Sequence, residues 1–177
     1  MFKAESILLQ SHYVMIVMDQ FSRKIIGYAS LKTPTLSGEN ICTMFNRILG
    51  SKTPPKKLSH DHDPLFNFHR WKCNMGILDV EEIYSVPHVP KSHPFVERLI
   101  GTTRREFLDK TLFWNQADLE IKLGEFQKYF NESLVHQGIG GKCPVSAYSG
   151  APKRIAMPEK LLWKRYCQVL YNVPVVA

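Results

Sequence analysis

The chain has 177 residues, enough for one domain with a hydrophobic core and a helical extension. A hydrophobic content of 44% argues against intrinsic disorder, and no run of about 18 uncharged apolar residues is present to span a membrane. The net charge of +7 favours a polyanionic partner such as DNA or RNA.

The first part of the chain predicts two strands and a helix. Residues 13–19 form a nearly continuous apolar run with β-branched members, which is typical of a buried strand. Residues 24–31 predict a second strand, and the short polar link between the two indicates a hairpin. Ser37 can cap a helix over residues 39–50, where the apolar residues share one face and Gly50 ends the pattern.

Strands then alternate with helices. A short strand ends near Asp61, a short helix is predicted over 66–77, and a strand over 81–87. Pro94 suits the first turn of the helix that carries the sequence FVERLIGTTRREFL, and residues 116–131 predict the next helix. An antiparallel pair followed by alternating strands and helices indicates a mixed α/β sheet that helices cover on both faces.

The end of the chain is less regular. Glycine and proline from Gly138 onward predict a loop, and the tail shows no clear order. We expect residues 1–148 to form the core domain and residues 149–177 a C-terminal extension.

The cysteine pattern and the first residues bear on location. The start lacks a basic head followed by an apolar core and a cleavage site, so secretion is not indicated. No Cys-x-x-Cys pair is present, which argues against a zinc ribbon and favours a reducing cytoplasm. Each of the four cysteines is expected to be a buried free thiol: Cys42, Cys73, Cys143 and Cys167.

The segment His60-Asp61-His62-Asp63 places four potential metal ligands where a strand ends. Three interpretations compete for it: a zinc site, a carboxylate site for a hard cation, and a polar turn without chemistry. Zinc prefers four nitrogen or sulfur ligands, and no third or fourth soft ligand is evident nearby.

A second carboxylate, Glu97, lies one turn into the helix that begins near Pro94. Its helical face continues through Gly101 and Arg104, at i+4 and i+7. A small residue and a cation beside a carboxylate suit a passing phosphate chain. The alternative is an ordinary Glu–Arg pair on a solvated helix surface.

Four motifs, and the 35 residues between Asp61 and Glu97, resemble a known family. The motifs are VMDQFSRKIIG (17–27), LSHDHDPLF (58–66), VPHVPKSHPFVERLIGTTRREFL (86–108) and GGKCPVSAY (140–148). By these motifs the chain resembles the integrase catalytic core of bacterial insertion-sequence DDE transposases, in the superfamily shared with retroviral integrases.

The resemblance implies an α/β, RNase H-like fold: a mixed five-stranded sheet flanked by helices. It also implies Mg²⁺ or Mn²⁺ in a two-metal site, and metal-dependent nicking and strand transfer of transposon ends into target DNA by a homo-oligomer. Matched residue by residue, Asp61 is the second acidic catalytic and metal-binding residue and Glu97 is the third. Carboxylate oxygens are the ligands that such hard cations prefer. A protein of this class is expected in the cytoplasm, at the nucleoid when bound to DNA.

The helix after Glu97 has a basic flank, which we expect to contact DNA phosphates. Its members are Arg98, Arg104, Arg105 and Lys110. A solvated helix face without DNA is the alternative.

The sequence departs from the family at its start. The first catalytic aspartate of the family would fall before Met1, so we expect a truncated first strand, and an inactive copy is one interpretation of this chain. Asp19 matches a different position and is expected to close the hairpin. Two alternatives remain open: a non-catalytic DNA-binding or multimerising transposase remnant, and a metal-dependent nuclease that acts by hydrolysis only.

Overall fold

The computed structural model describes residues 1–60, 63–84, 94–150, 161–168 and 170–176. Strands and helices alternate over most of this length, and three short 3₁₀ turns and one π-helical segment (Thr103–Phe107) join them. The elements are β1 (Phe2–Glu5), β2 (Ser11–Met18), β3 (Ile25–Lys32), α1 (Gly38–Leu49), β4 (Lys57–His60), α2 (His69–Ile77), β5 (Glu81–Tyr84), α3 (Pro94–Thr102), α4 (Gln116–Glu132), α5 (Pro144–Tyr148), β6 (Leu161–Tyr166) and β7 (Tyr171–Val176).

Strands β1, β2 and β3 form an antiparallel sheet in that order, which confirms the predicted hairpin. Neighbouring side chains of a strand point to opposite faces, so Val14 and Met15 enter different hydrophobic cores. The β2–β3 register shifts at Val17 and Met18. This bulge lets Ile25 join the core on one face while Ala29 joins the core on the other.

Helix α1 covers one face of the sheet. The Ser37 side chain accepts a hydrogen bond from the backbone N–H of Asn40, and Gly50 ends the helix with a φ of 52°, as the sequence predicted. Gly27 of β3 permits close packing, because a Cβ at this position would lie 3.0 Å from Cγ2 of Ile48. The core on this face also contains Phe45 and Trp71, whose rings pack edge to face.

Helices α3 and α4 cover the other face, so the sheet is covered on both sides as predicted. The fully buried residues Leu119, Leu123 and Phe126 form the inner stripe of α4. Asn131, near the end of α4, fastens the helix to the sheet. Its Oδ1 accepts from the Ile25 N–H at 2.8 Å, and its Nδ2 donates to the Ile25 carbonyl at 2.9 Å.

Strands β4 and β5 run parallel, with Ser59 opposite Ile83. The helix predicted over 66–77 is divided: a 3₁₀ turn (Pro64–Asn67) precedes α2, and Phe68 between them is extended. The expectation that all four cysteines are buried was wrong for three of them: Cys73 is exposed on α2, and Cys42 and Cys143 are partly buried. All four thiols are free.

The tail, for which the sequence predicted no order, contains the antiparallel hairpin β6–β7. Its connecting turn brings Cys167 into the core that α4 forms with the sheet. Tyr171 stacks on Tyr129 of α4 with ring centroids 3.9 Å apart, and Lys164 pairs with Glu132 at 2.8 Å. The hairpin is therefore docked on α4 by aromatic packing and an ion pair.

Within the described ranges, no helix combines the length and the apolar character needed to cross a lipid bilayer.

Candidate active site and nucleic-acid interface

The carboxyl end of β4 is fixed by a compact polar and aromatic cluster. His60 is buried, and its Nε2 lies 2.9 Å from Oε1 of Glu82 on β5. Trp71 of α2 donates its indole N–H to the same oxygen at 2.6 Å. The His60 ring also stacks on Phe66 with centroids 4.2 Å apart. This cluster holds in place the residue that directly precedes Asp61.

Asp61, the predicted second acidic residue, lies outside the described residues, and so does His62. Its convergence with Glu97 therefore stays a prediction. Asp63 caps the following 3₁₀ turn, because its Oδ1 accepts from the Leu65 N–H at 3.0 Å. Asp63 thus shapes the turn, in agreement with the polar-turn interpretation for this residue.

Glu97 lies in the first turn of α3 and is exposed. Leu99 of α3 is only 3% exposed and packs in the hydrophobic core. This packing fixes the position of the helix backbone that carries Glu97. Among the residues that the structure describes, no three His, Cys, Asp or Glu side chains converge as metal ligands.

The basic flank of α3 is exposed along its length. The sequence suggested that a phosphate chain passes over Gly101. In the structure the Arg105 guanidinium lies over this glycine. A Cβ built on Gly101 would be 3.3 Å from Nη2 of Arg105. Arg104 lies over the Phe2 ring at 5.3 Å.

The π-helical segment that follows α3 was not predicted. It inserts an extra residue into the helical repeat, and it keeps both Thr103 and Phe107 buried. Thr103 Oγ1 lies 3.1 Å from the Tyr28 hydroxyl, whose pKa is raised by burial. The exposed Arg104 and Arg105 therefore lie on a segment whose buried side contacts β3 through Thr103 and Tyr28.

The β2–β3 turn is closed by Asp19, as predicted. Its N–H donates to the Lys24 carbonyl at 2.8 Å, and its Oδ2 accepts from the Ser22 N–H at 2.8 Å. Within this turn Arg23 adopts a left-handed conformation with a φ of 64°. Its guanidinium lies 3.1 Å above the Phe95 ring, at the start of α3.

A cleft of about 760 Å³ opens between this turn and the loop after α4, and we call it the turn cleft. Sequence reasoning missed it, because its walls come from three distant segments and no local pattern marks them. Its lining residues are Gln20, Phe21, Arg23, Phe95, Gly138, Ile139, Gly140, Lys142 and Ala147.

His136 lies close to two guanidinium groups near the turn cleft. Burial lowers the pKa of His136 below its ordinary value, and the charges of Arg23 and Arg98 act in the same direction. Both effects disfavour the charged form of the imidazole.

Comparison with known proteins gives a family match over part of the chain and the fold of the whole. Residues 78–144 match the integrase core domain family. The structure resembles a chain of the simian T-cell lymphotropic virus intasome solved with PP2A regulatory subunit B56 gamma, with a TM-score of 0.65 and 14% identity. That likeness covers 98% of this chain and 63% of the intasome chain, so this chain spans less than two thirds of its relative.

Two isolated catalytic cores are also similar. The catalytic core domain of BIV integrase gives a TM-score of 0.60 at 15% identity, over 85% of this chain and 91% of that one. The HTLV-2 integrase core in complex with magnesium, in its trimeric form, gives 0.58 at 14%, over 82% and 90%. No curated protein matches this chain in sequence.

The chain is thus an α/β protein with the RNase H-like fold of integrase catalytic cores, which confirms the predicted fold class. The matched segment includes α3, α4 and Glu97, and together with the shared fold it supports the resemblance to an integrase-like core of the DDE superfamily. The resemblance found in the sequence motifs is confirmed at this level.

Proposed function

We propose that this protein acts in DNA transposition, by metal-dependent nicking and strand transfer of transposon ends. The observation that carries the proposal is the integrase core match over residues 78–144, which contains Glu97 on an exposed turn of α3. The insertion-sequence motifs of the chain favour transposon ends and target DNA as its partners. We propose further that it works as a homo-oligomer on DNA, at the nucleoid of the cytoplasm.

The donor chemistry suits Mg²⁺ or Mn²⁺. Glu97 offers an exposed carboxylate, and Asp61 directly follows a strand whose last residue is pinned by Glu82 and Trp71. Hard cations take carboxylate oxygens in preference to thiolate or imidazole. Asp61 and Glu97 would hold the metal, which supplies charge stabilisation to the attacking and leaving oxygens of a phosphodiester.

The basic flank of α3 would bind the DNA backbone. Arg98, Arg104, Arg105 and Lys110 are all exposed, so they can reach phosphates without unfolding any part of the core. Phosphate contacts of this kind fix the position of the duplex and carry little sequence information. The protein groups therefore bind and orient the DNA, while the acidic pair provides the metal-binding ligands.

A plasmid-nicking and strand-transfer assay with Mg²⁺ tests the proposal. We expect Glu97→Gln to abolish metal-dependent cleavage while it leaves DNA affinity within about twofold, because the basic flank is intact. Glu106→Gln is the matched control, since Glu106 is an exposed glutamate further along the same helical segment. Equal losses in the two variants would contradict the role assigned to Glu97.

DNA binding provides the second measurement. Replacing Arg104 and Arg105 by glutamine should weaken duplex binding and reduce the slope of log affinity against log salt by about two. Steep salt dependence without any metal-dependent cleavage would indicate the non-catalytic DNA-binding class instead. Cleavage without strand transfer would indicate a nuclease that acts by hydrolysis only.

A further inference from the structure

Helix α2 carries a histidine and a cysteine together on its solvent side. Cys73 Sγ lies 3.7 Å from both ring nitrogens of His69, which is one helical turn earlier, and both residues are exposed. Residues at i and i+4 share one face of a helix, and two metal ligands at this spacing are typical of helical zinc sites. The pair is therefore placed to hold one metal ion between the thiolate and the imidazole.

The separation of the two groups suits zinc. Zn–S bonds of about 2.3 Å and Zn–N bonds of about 2.0–2.1 Å at a tetrahedral angle place the sulfur and the nitrogen about 3.6 Å apart. The observed separation of 3.7 Å is close to this value. A rotation of the His69 imidazole about its side-chain bonds is therefore enough to direct one nitrogen at the ion.

The backbone that carries this pair is held by the core. Trp71 and Met75, on the inner side of α2, are buried. The Trp71 indole N–H also donates to Oε1 of Glu82 at 2.6 Å, which ties the helix to β5. The two ligands can therefore bind a metal by choosing rotamers, without any movement of the helix.

The pair supplies half of a closed zinc site. Structural zinc takes four ligands, and two cysteines with two histidines are one of the usual sets. In the part of the chain that the structure describes, no third His, Cys, Asp or Glu joins His69 and Cys73. A second copy that presents the same face supplies one more thiolate and one more imidazole. A two-fold axis through the ion would make the two halves equivalent.

The same face of α2 is open to a second helix. Gly76 and Ile77 follow Cys73 at i+3 and i+4. A Cβ built on Gly76 would meet nothing within 4 Å, and Ile77 is 83% exposed. The glycine leaves room for a close approach of another backbone, and the isoleucine offers apolar surface that pairing would bury.

We propose that two copies of this protein bind one zinc ion between their α2 helices, with His69 and Cys73 of each copy as the four ligands. Each thiol releases its proton to solvent when zinc binds. The inference goes beyond the proposed function, because it involves neither DNA nor the acidic pair. Glu97→Gln should therefore pair with zinc as the parent protein does.

Sedimentation velocity of the reduced protein, with added Zn²⁺ or with a chelator, tests the inference. We expect Zn²⁺ to convert the protein to dimers that contain one zinc ion for every two chains. Co²⁺ in place of Zn²⁺ should give the visible absorption bands of a tetrahedral site with thiolate ligands. His69→Ala and Cys73→Ser should each lose the zinc-dependent dimer and the cobalt bands.

Cys143→Ser is the matched control, because Cys143 is another free thiol, partly buried beside Ser146. It should pair with zinc as the parent does. Gly76→Gln should weaken pairing about tenfold, because its side chain fills the space that a second helix needs. If zinc does not bind, if it binds to single chains without pairing them, or if Cys73→Ser pairs as well as the parent, the inference is overturned. The Mg²⁺-dependent assay of the proposed function is independent of each of these outcomes.

Discussion

Asn131→Ala should destabilise the protein by removing the link between α4 and β3. The Asn131 carboxamide bonds both backbone groups of Ile25, and all of these atoms are buried. Without it the Ile25 N–H lacks its acceptor, and a buried unsatisfied donor costs about 1–3 kcal/mol. The Ile25 carbonyl keeps a hydrogen bond from Gln127 at 3.1 Å. Losing the Asn131 donor therefore costs less free energy at this carbonyl than at the Ile25 N–H.

The better helix propensity of alanine recovers about 0.5 kcal/mol. The net decrease in unfolding free energy is then about 2 kcal/mol, which corresponds to a fall in Tm of about 4–8 °C for a domain of this size. Urea denaturation followed by tryptophan fluorescence measures the first quantity, and a thermal melt followed by circular dichroism measures the second.

Asn46→Ala is the matched control, because Asn46 also makes side-chain hydrogen bonds, to Asn74, but on an exposed face. Its effect should stay within about 0.5 kcal/mol. If Asn131→Ala changed stability no more than Asn46→Ala, the α4–β3 link would not contribute as argued.

Three further predictions concern packing, pH and the hairpin. Gly27→Val should lower stability by about 1–3 kcal/mol in urea titrations, because the added side chain collides with Ile48, and an unchanged midpoint would refute this close approach. Burial lowers the pKa of His136 in the folded protein, so the unfolded chain binds a proton at this residue at a higher pH than the folded chain does. The protein therefore loses stability as the pH falls below about 6.5, and His136→Asn should lessen this loss. Parallel pH–stability curves for the two proteins would refute the effect. Lys164→Met should change Tm only slightly, because its ion pair with Glu132 is half exposed, and a large drop would contradict that estimate.

Much of the fold follows from local sequence patterns. The apolar run at 13–19 and the capped, amphipathic residues around α1 encode a strand and a helix through periodicities of two and 3.6 residues. The break at Phe68 and the exposure of Cys73 do not follow, because a short helix with a weak apolar stripe gives no clear inner face. The β6–β7 hairpin has exposed apolar residues such as Trp163, so its alternation carries little information.

The candidate site was predictable in part. Motif resemblance selected Glu97 and the basic flank, and the structure places them on one exposed helical segment. The anchoring of β4 through Glu82 depends on a contact between strands that no spacing rule reveals. The turn cleft depends on three distant segments of the chain, and the left-handed conformation of Arg23 has no signature in the residue type itself.

The C-terminal hairpin has a practical consequence for anyone who trims this protein. Its side chains form part of the hydrophobic interior, since Tyr166 and Cys167 are less than 9% exposed. A shortened version that stops at residue 148 would bring the Tyr129 ring and its neighbours into contact with water. Such a fragment should aggregate. Expression of the core domain should therefore retain the last two strands.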